Sequence, residues 1–250
     1  MTTSSTKFDL FQKYFIVLSF IGSFLIFLIP ILFLNSTLEF ISIISLIASL
    51  TAALTLLYSI RAEKFTYIFW LINSLSYSYL AYVDKYYGQI FVNICICIPI
   101  VIYGYFHWGK HTKENSKTIE IRSLSLKLWI YTALATLAIL IFFMIVLNNL
   151  PYILKHLFNL QVNKDNNLIF DSISTTLSIM ATYLTAKRYI QQWIFWIVTD
   201  TISVILFISG IFIHHTSLIS SLSGAFMWIE YGSGSIYGLI YWLKLYKKRF

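Results

Sequence analysis

The sequence predicts an all-α polytopic membrane protein, and three observations carry that prediction. Of the 250 residues, 58% are hydrophobic and only 11% are charged, against about 25% charged in soluble domains. The apolar residues come in runs of roughly 20, the length at which a helix rising ~1.5 Å per residue crosses a ~30 Å hydrocarbon layer. With 3 Pro and 9 Gly in the whole chain, those runs are almost uninterrupted. None alternates apolar and polar residues between turn signals, as a barrel strand would. Backbone groups in lipid must be satisfied within the segment, which leaves the helix as the spanning element.

Eight spans are expected, at 11–34, 37–60, 66–84, 89–108, 124–149, 168–186, 192–213 and 221–246. Met1–Lys7 has no secretory cleavage pattern, and the run after it is too long for a signal peptide, so the first span is expected to be retained. Pro30 lies where it would kink the end of that span. Cys95 and Cys97, two residues apart in the fourth span, point to different faces and read as small packing residues, with no disulfide or metal site. Alternation of the spans puts 15 of the 18 Lys and Arg on one side: at the N-terminus, in the 61–65, 109–123 and 187–191 connections, at the C-terminus, and, as Lys13, Lys127 and Lys244, in the span ends beside them. Lys85, Lys155 and Lys164 fall on the other side. The basic side is expected to be cytoplasmic, with both termini inside. The net charge of +8 is therefore a topology signal and does not point to nucleic acid.

Two pairs of segments repeat. Ile102-Tyr-Gly-Tyr-Phe-His-Trp-Gly-Lys110 matches Ile236-Tyr-Gly-Leu-Ile-Tyr-Trp-Leu-Lys244 at five of nine positions, and Tyr67-Ile-Phe-Trp70 matches Trp193-Ile-Phe-Trp196. The offsets are 134 and 126, a difference that an insertion near 213–223 absorbs. The expected organisation is an extra N-terminal helix (1–36) and a first three-helix repeat (37–110). A cytoplasmic loop, connector helix and outer loop follow (111–167), then a second repeat with a basic tail (168–250). An odd number of spans between the repeats makes them parallel, a known transporter architecture.

Polar residues inside spans mark solute paths. Trp193, Trp196 and Asp200 are spaced i, i+3, i+7 on one helical face, and Gln192 joins them. Trp70, Asn73 and Tyr77 have the same spacing in the first repeat; Gln89, Asn93 and Tyr103 follow a stripe in the next span. Glu230 and Tyr237 share one stripe of the last span, with Trp228 on another. Plainer roles exist for several: Gln192 and Trp193 as interfacial anchors, Asn73 and Asn93 as interhelical hydrogen-bond glue, Trp108 and Trp242 as belt residues. Asp200 and Glu230 resist such readings, because no Lys or Arg lies mid-span to pair with them. A flat, cationic solute would suit two indoles and an acid. His214 and His215 are expected in a solvated outer loop. The chain carries no zinc helix, nucleophile elbow or phosphate-binding loop. A membrane enzyme and a receptor or assembly subunit are the remaining alternatives, and no catalytic pair or large soluble domain supports them.

The run Lys187-Arg-Tyr-Ile-Gln-Gln-Trp-Ile-Phe-Trp-Ile197, together with Phe170-Asp-Ser172, Leu177-Ser-Ile179 and Tyr67-Ile-Phe-Trp-Leu-Ile-Asn73, resembles the PnuC family of bacterial vitamin transporters. The closing Tyr103-Gly104 before Trp108 fits as well, and the similarity covers roughly 37–246. The resemblance implies a SWEET-like fold of 3+1+3 helices in the bacterial inner membrane. It also implies facilitated diffusion of nicotinamide riboside, trapped afterwards by a cytoplasmic kinase, with no cofactor. It makes Trp196 a candidate for stacking on the ring, and Asn73 and Asn93 candidates for polar contacts. Asp200 stands where the family commonly has Asn, and Trp228 where Tyr is frequent. Thiamine, also a cation, is the competing solute. A homo-oligomer is compatible with this layout.

Overall fold

The computed structural model describes residues 8–33, 40–83, 90, 92–112, 118–161, 168–213 and 218–247. Gln89, His214 and His215 lie outside them. The described residues are almost entirely helical, in the elements α1 Leu10–Phe33, α2 Phe40–Ile60, α3 Thr66–Val83, α4 Val92–Gly109, α5 Leu126–Phe158, α6 Leu168–Ala186, α7 Gln192–Ile213 and α8 Leu218–Lys247. No strand occurs among them, only three isolated bridges. By length and composition, windows in α2, α4 and α5 are apolar enough to cross a membrane.

Local chemistry sets the ends. Asp9 caps α1: its Oδ1 accepts from the Gln12 N–H at 2.9 Å, and the Gln12 Oε1 accepts from the Asp9 N–H at 3.3 Å, a reciprocal box. Helix α4 opens with a π turn, Val92–Cys97, before Pro99 in its first regular turn, a disruption that often accompanies function. Helix α5 runs nine residues beyond the expected end, through Pro151, to a left-handed Asn159 cap (φ 54°). Lys155 and His156 in its last turn suit the negative end of the helix dipole.

The packing is mirrored. Helix α2 packs on α3 as α6 packs on α7, α3 on α4 as α7 on α8, and α2 on α8 as α4 on α6. The mirroring extends to atoms. Trp108 Nε1–H donates to the Thr185 carbonyl (2.9 Å), and Trp242 Nε1–H donates to the Ser59 and Ile60 carbonyls (3.0 and 3.1 Å). Ala62 and Arg188, which end the α2–α3 and α6–α7 turns' first halves, both have positive φ, 56° and 66°. The ring of Tyr67 occupies the space where a Cβ on Gly104 would stand, and the ring of Trp193 does the same at Gly238. Helix α1 stands outside this pattern, on α2 and α8; α5 leans on α6.

The two halves meet in an aromatic core at the basic end. Tyr67, Trp108, Trp193 and Trp242 are at most 2% exposed there and are joined by Ile119 and Ile121 from the long basic connection. Trp108 and Trp242 are thus core residues that cap the ends of α6 and α2. As belt residues they would sit on the surface.

Candidate substrate site

Above this floor the helices bring together the side chains that could receive a solute. Trp70 stacks on Tyr67 (6.0 Å between centroids, 8° between planes) and faces Trp196 across the two halves at 6.0 Å and 59°. Trp196 is held by its Nε1–H, which donates to Thr185 Oγ1 at 3.3 Å. Both indoles are only half buried, so each keeps part of its π surface free. Asp200 lies four residues further along α7, about 6 Å by helix rise. It is 2% exposed, and its Oδ2 accepts from the Ser235 hydroxyl at 2.8 Å. The absence of a side chain at Gly232 leaves room beside it.

Several buried polar atoms here lack a protein partner. Gln192, fully buried at the start of α7, has neither amide atom satisfied; Trp193 Nε1, Tyr67 Oη, Trp228 Nε1 and Glu230 Oε1 are also without partners. An unsatisfied buried polar group costs about 1–3 kcal/mol, so each of these atoms suits a position where water or a solute supplies the missing bond. Trp228 packs edge-on against Tyr231 at 5.6 Å. Asn93 is half buried on the π turn of α4.

Other expected residues sit elsewhere. Asn73 donates its amide to the Ala48 carbonyl at 2.8 Å and so joins α3 to α2. Trp193 lies in the floor, edge-on to Trp242 at 5.7 Å. Tyr237 stacks on Phe11 at 3.9 Å and donates to Asp9 of α1. Tyr103 accepts from the Lys187 ammonium at 2.7 Å, and this bond raises the pKa of Lys187. Tyr103 and Tyr77 are both well exposed. Ser235 and Thr185, both outside the expected set, support the site by holding Asp200 and Trp196. Ser172 and Thr176 are spaced i, i+4 on α6, buried, with hydroxyls that find no partner. Most Thr here return their hydroxyl to the carbonyl four residues back, as Thr182 and Thr199 do. The i, i+4 spacing of the two hydroxyls was visible in the sequence.

Residues 42–244 match the family model described as "Nicotinamide mononucleotide transporter". A nicotinamide riboside transporter PnuC of Neisseria mucosa is 27% identical over 206 residues, covering 81% of this chain and 72% of the relative. The protein of the same name from Escherichia coli K12 is 25% identical over 66% of this chain and 75% of its own length. That of Haemophilus influenzae is 23% identical over 82% and 81%. A crystal structure of the vitamin B3 transporter PnuC superposes with a TM-score of 0.72 at 22% identity, covering 97% of this chain and 94% of that one, and so shares the fold. Because the family model spans well over half of its 250 residues, this multi-pass membrane chain belongs to the nicotinamide mononucleotide transporter family.

Proposed function

We propose that this chain carries nicotinamide riboside into the cell by facilitated diffusion. The observation that carries the proposal is the facing pair Trp70 and Trp196 with the buried carboxyl of Asp200 one turn beyond. The riboside's pyridinium ring is flat and cationic. An indole face attracts a cation by about 0.5–2 kcal/mol, and an ionised carboxylate nearby adds Coulomb attraction strengthened by low dielectric. The family description speaks of the mononucleotide and the relatives' names of the riboside. The mononucleotide's phosphate would face Asp200 and Glu230, and α3, α4, α6 and α7 contain no Lys or Arg to hold it. The acids therefore favour the riboside.

In this reading Trp70 and Trp196 stack on the ring, and Asp200 and Glu230 supply negative charge. Gln192, Asn93, Ser172 and Thr176 offer polar contacts, and Trp228 and Tyr231 line the far approach. Asn73, Trp193, Tyr103 and Tyr237 hold the frame. The chain crosses the inner membrane eight times with its basic end in the cytoplasm. Two parallel three-helix bundles, α2–α4 and α6–α8, flank the site, joined by α5; the mirrored contacts and tryptophan hydrogen bonds support this repeat. A cytoplasmic kinase would trap the imported solute. Thiamine, whose thiazolium is also flat and cationic, is the second reading. Titrating the purified protein while following tryptophan fluorescence separates them. Saturable quenching by the riboside, weaker quenching by thiamine and the weakest by the mononucleotide are expected. A tight response to thiamine with none to the riboside would replace the proposed solute.

A further inference from the structure

The α2–α3 and α6–α7 turns match in backbone and differ in charge. At the 126-residue offset Arg61 corresponds to Lys187, and Glu63 to Tyr189. In the first turn Arg61 Nε donates to Glu63 Oε1 at 2.7 Å, and both residues are buried. The second turn, Lys187-Arg-Tyr-Ile-Gln191, contains no acid. Its Arg188 Nη1 donates to the Glu120 carbonyl at 2.9 Å and lies 3.8 Å from the Glu120 carboxylate. Arg122 brings a further guanidinium, 5.1 Å over the Tyr189 ring. Burial and then the Arg122 charge lower the pKa of Arg188, and Glu120 offsets only part of this. Arg188 is 3% exposed, and its Nε has no hydrogen-bond partner among the described residues. A buried, charged donor without an acceptor is costly.

A second donor of this kind stands on α4. The Lys187 ammonium donates to Tyr103 Oη at 2.7 Å and lies over the Tyr103 and Tyr183 rings at 4.7 and 5.9 Å. An ammonium only donates, so the Tyr103 hydroxyl proton goes to His107 Nδ1, 3.2 Å away, and His107 carries its ring proton on Nε2. That Nε2 is buried and has no partner among the described residues. The His107 ring lies 4.5 Å from the His111 ring, and the His111 carbonyl accepts from the Glu120 N–H at 3.0 Å. Contacts thus run from Lys187 through Tyr103, His107, His111 and Glu120 back to Arg188. Tyr103, expected against the solute, belongs to this cluster.

We infer that the junction of α4 and α6 at the basic end binds the phosphate of an anionic phospholipid headgroup, held by Lys187, Arg188 and Arg122. A phosphate supplies what the cluster lacks, namely negative charge and several acceptor oxygens in the geometry that guanidinium N–H groups match. The surroundings identify the source as lipid. Helices α4 and α6 pack together, and beside Tyr103 and Lys187 they leave Ile102, Phe106 and Tyr183 exposed, a surface along which acyl chains can lie. Tyrosines at the end of such a face mark the headgroup level, and basic pockets between spanning helices on that side take anionic headgroups. The inference is independent of which solute the chain carries.

Native mass spectrometry of the purified protein tests it, with phosphatidylglycerol, phosphatidylcholine or glycerol 3-phosphate added to the detergent solution. Phosphatidylglycerol is expected to bind about tenfold more tightly than phosphatidylcholine, and glycerol 3-phosphate not to compete with it. Lys187→Gln and Arg122→Gln should each weaken phosphatidylglycerol binding about tenfold. Arg122 is exposed, so its variant keeps the test sound if Lys187→Gln does not fold. A control, Lys244→Gln with Lys247→Gln, removes two charges from α8 at the same end and should leave the affinity within about twofold. Equal affinity for the two lipids, or unchanged phosphatidylglycerol binding by Arg122→Gln, overturns the inference. An equal loss in the α8 control overturns it too, since the attraction is then diffuse charge. Displacement of the lipid by glycerol 3-phosphate would make the ligand a soluble phosphate and overturn the lipid assignment.

Discussion

Trp196 and Asp200 carry the account at the scale of single residues. Trp196 offers half its indole to the site while its N–H is fixed on Thr185. Replacing it by Ala removes the plate, and uptake is expected to fall at least a hundredfold. Trp193→Ala should instead lower thermal stability, because Trp193 is 1% exposed in the core; a Phe/Trp→Ala core change typically costs about 3–5 kcal/mol. Comparing uptake per folded protein for the two variants distinguishes site from scaffold. Asp200→Asn keeps an acceptor for Ser235 and deletes the charge. Riboside affinity is expected to drop about tenfold, the equivalent of ~1.4 kcal/mol, while affinity for a neutral nicotinamide analogue changes little. Fluorescence titration checks both arms. The sequence singled out Trp196 and Asp200 by periodicity alone, because an acid and an indole inside an apolar run stand out. It could not separate Trp196 from Trp193: three residues apart on one face, one stays half buried beside Trp70 and the other is buried in the core, where Gly238 closely approaches its ring.

Helices and turns were read at their centres more accurately than at their ends. Each expected apolar run overlaps a helix among the described residues, since a long apolar run reads directly as a helix. The end of α5 moved because a proline inside an apolar helix need not stop it, and the stop came from Asn159. The stripe Trp70–Asn73–Tyr77 looked like the counterpart of Trp193–Trp196–Asp200. The 126-residue offset instead sets Tyr67, Trp70 and Ser74 opposite them, and Ser74, like Asp200, is 2% exposed. Spacing alone left two registers for one face, and the matched contacts of Tyr67 with Gly104 and Trp193 with Gly238 select one. Those glycines give a prediction at this scale. A methyl at Gly238 would come within 2.6 Å of Trp193 Cη2 and force the ring to move. Overpacking costs about 1–3 kcal/mol, so Gly238→Ala and Gly104→Ala should each lower the unfolding temperature in detergent. Gly109→Ala, with open space around it, should not.

At the scale of the whole molecule, α2–α4 and α6–α8 make matching helix–helix contacts, and α1 and α5 are added without counterparts. Helix α1 is fastened by its own capping box, since Asp9 also receives Tyr237 and Gln12 Oε1 also receives the Arg61 guanidinium at 3.3 Å. Nothing in the sequence of Asp9–Gln12 announced that partner, because the contact joins residues 228 positions apart. The layout puts the tryptophan pair across the two halves, above a closed aromatic floor, and the carboxyl of Asp200 between α7 and α8. The central claim is passive carriage of nicotinamide riboside, and labelled riboside uptake into proteoliposomes holding the purified protein, without ATP or an ion gradient, tests it most directly. The label should enter until the inside and outside concentrations match, and entry should be lost with Trp196→Ala. Entry no faster than into empty vesicles, or entry only when a proton gradient is imposed, would contradict the account.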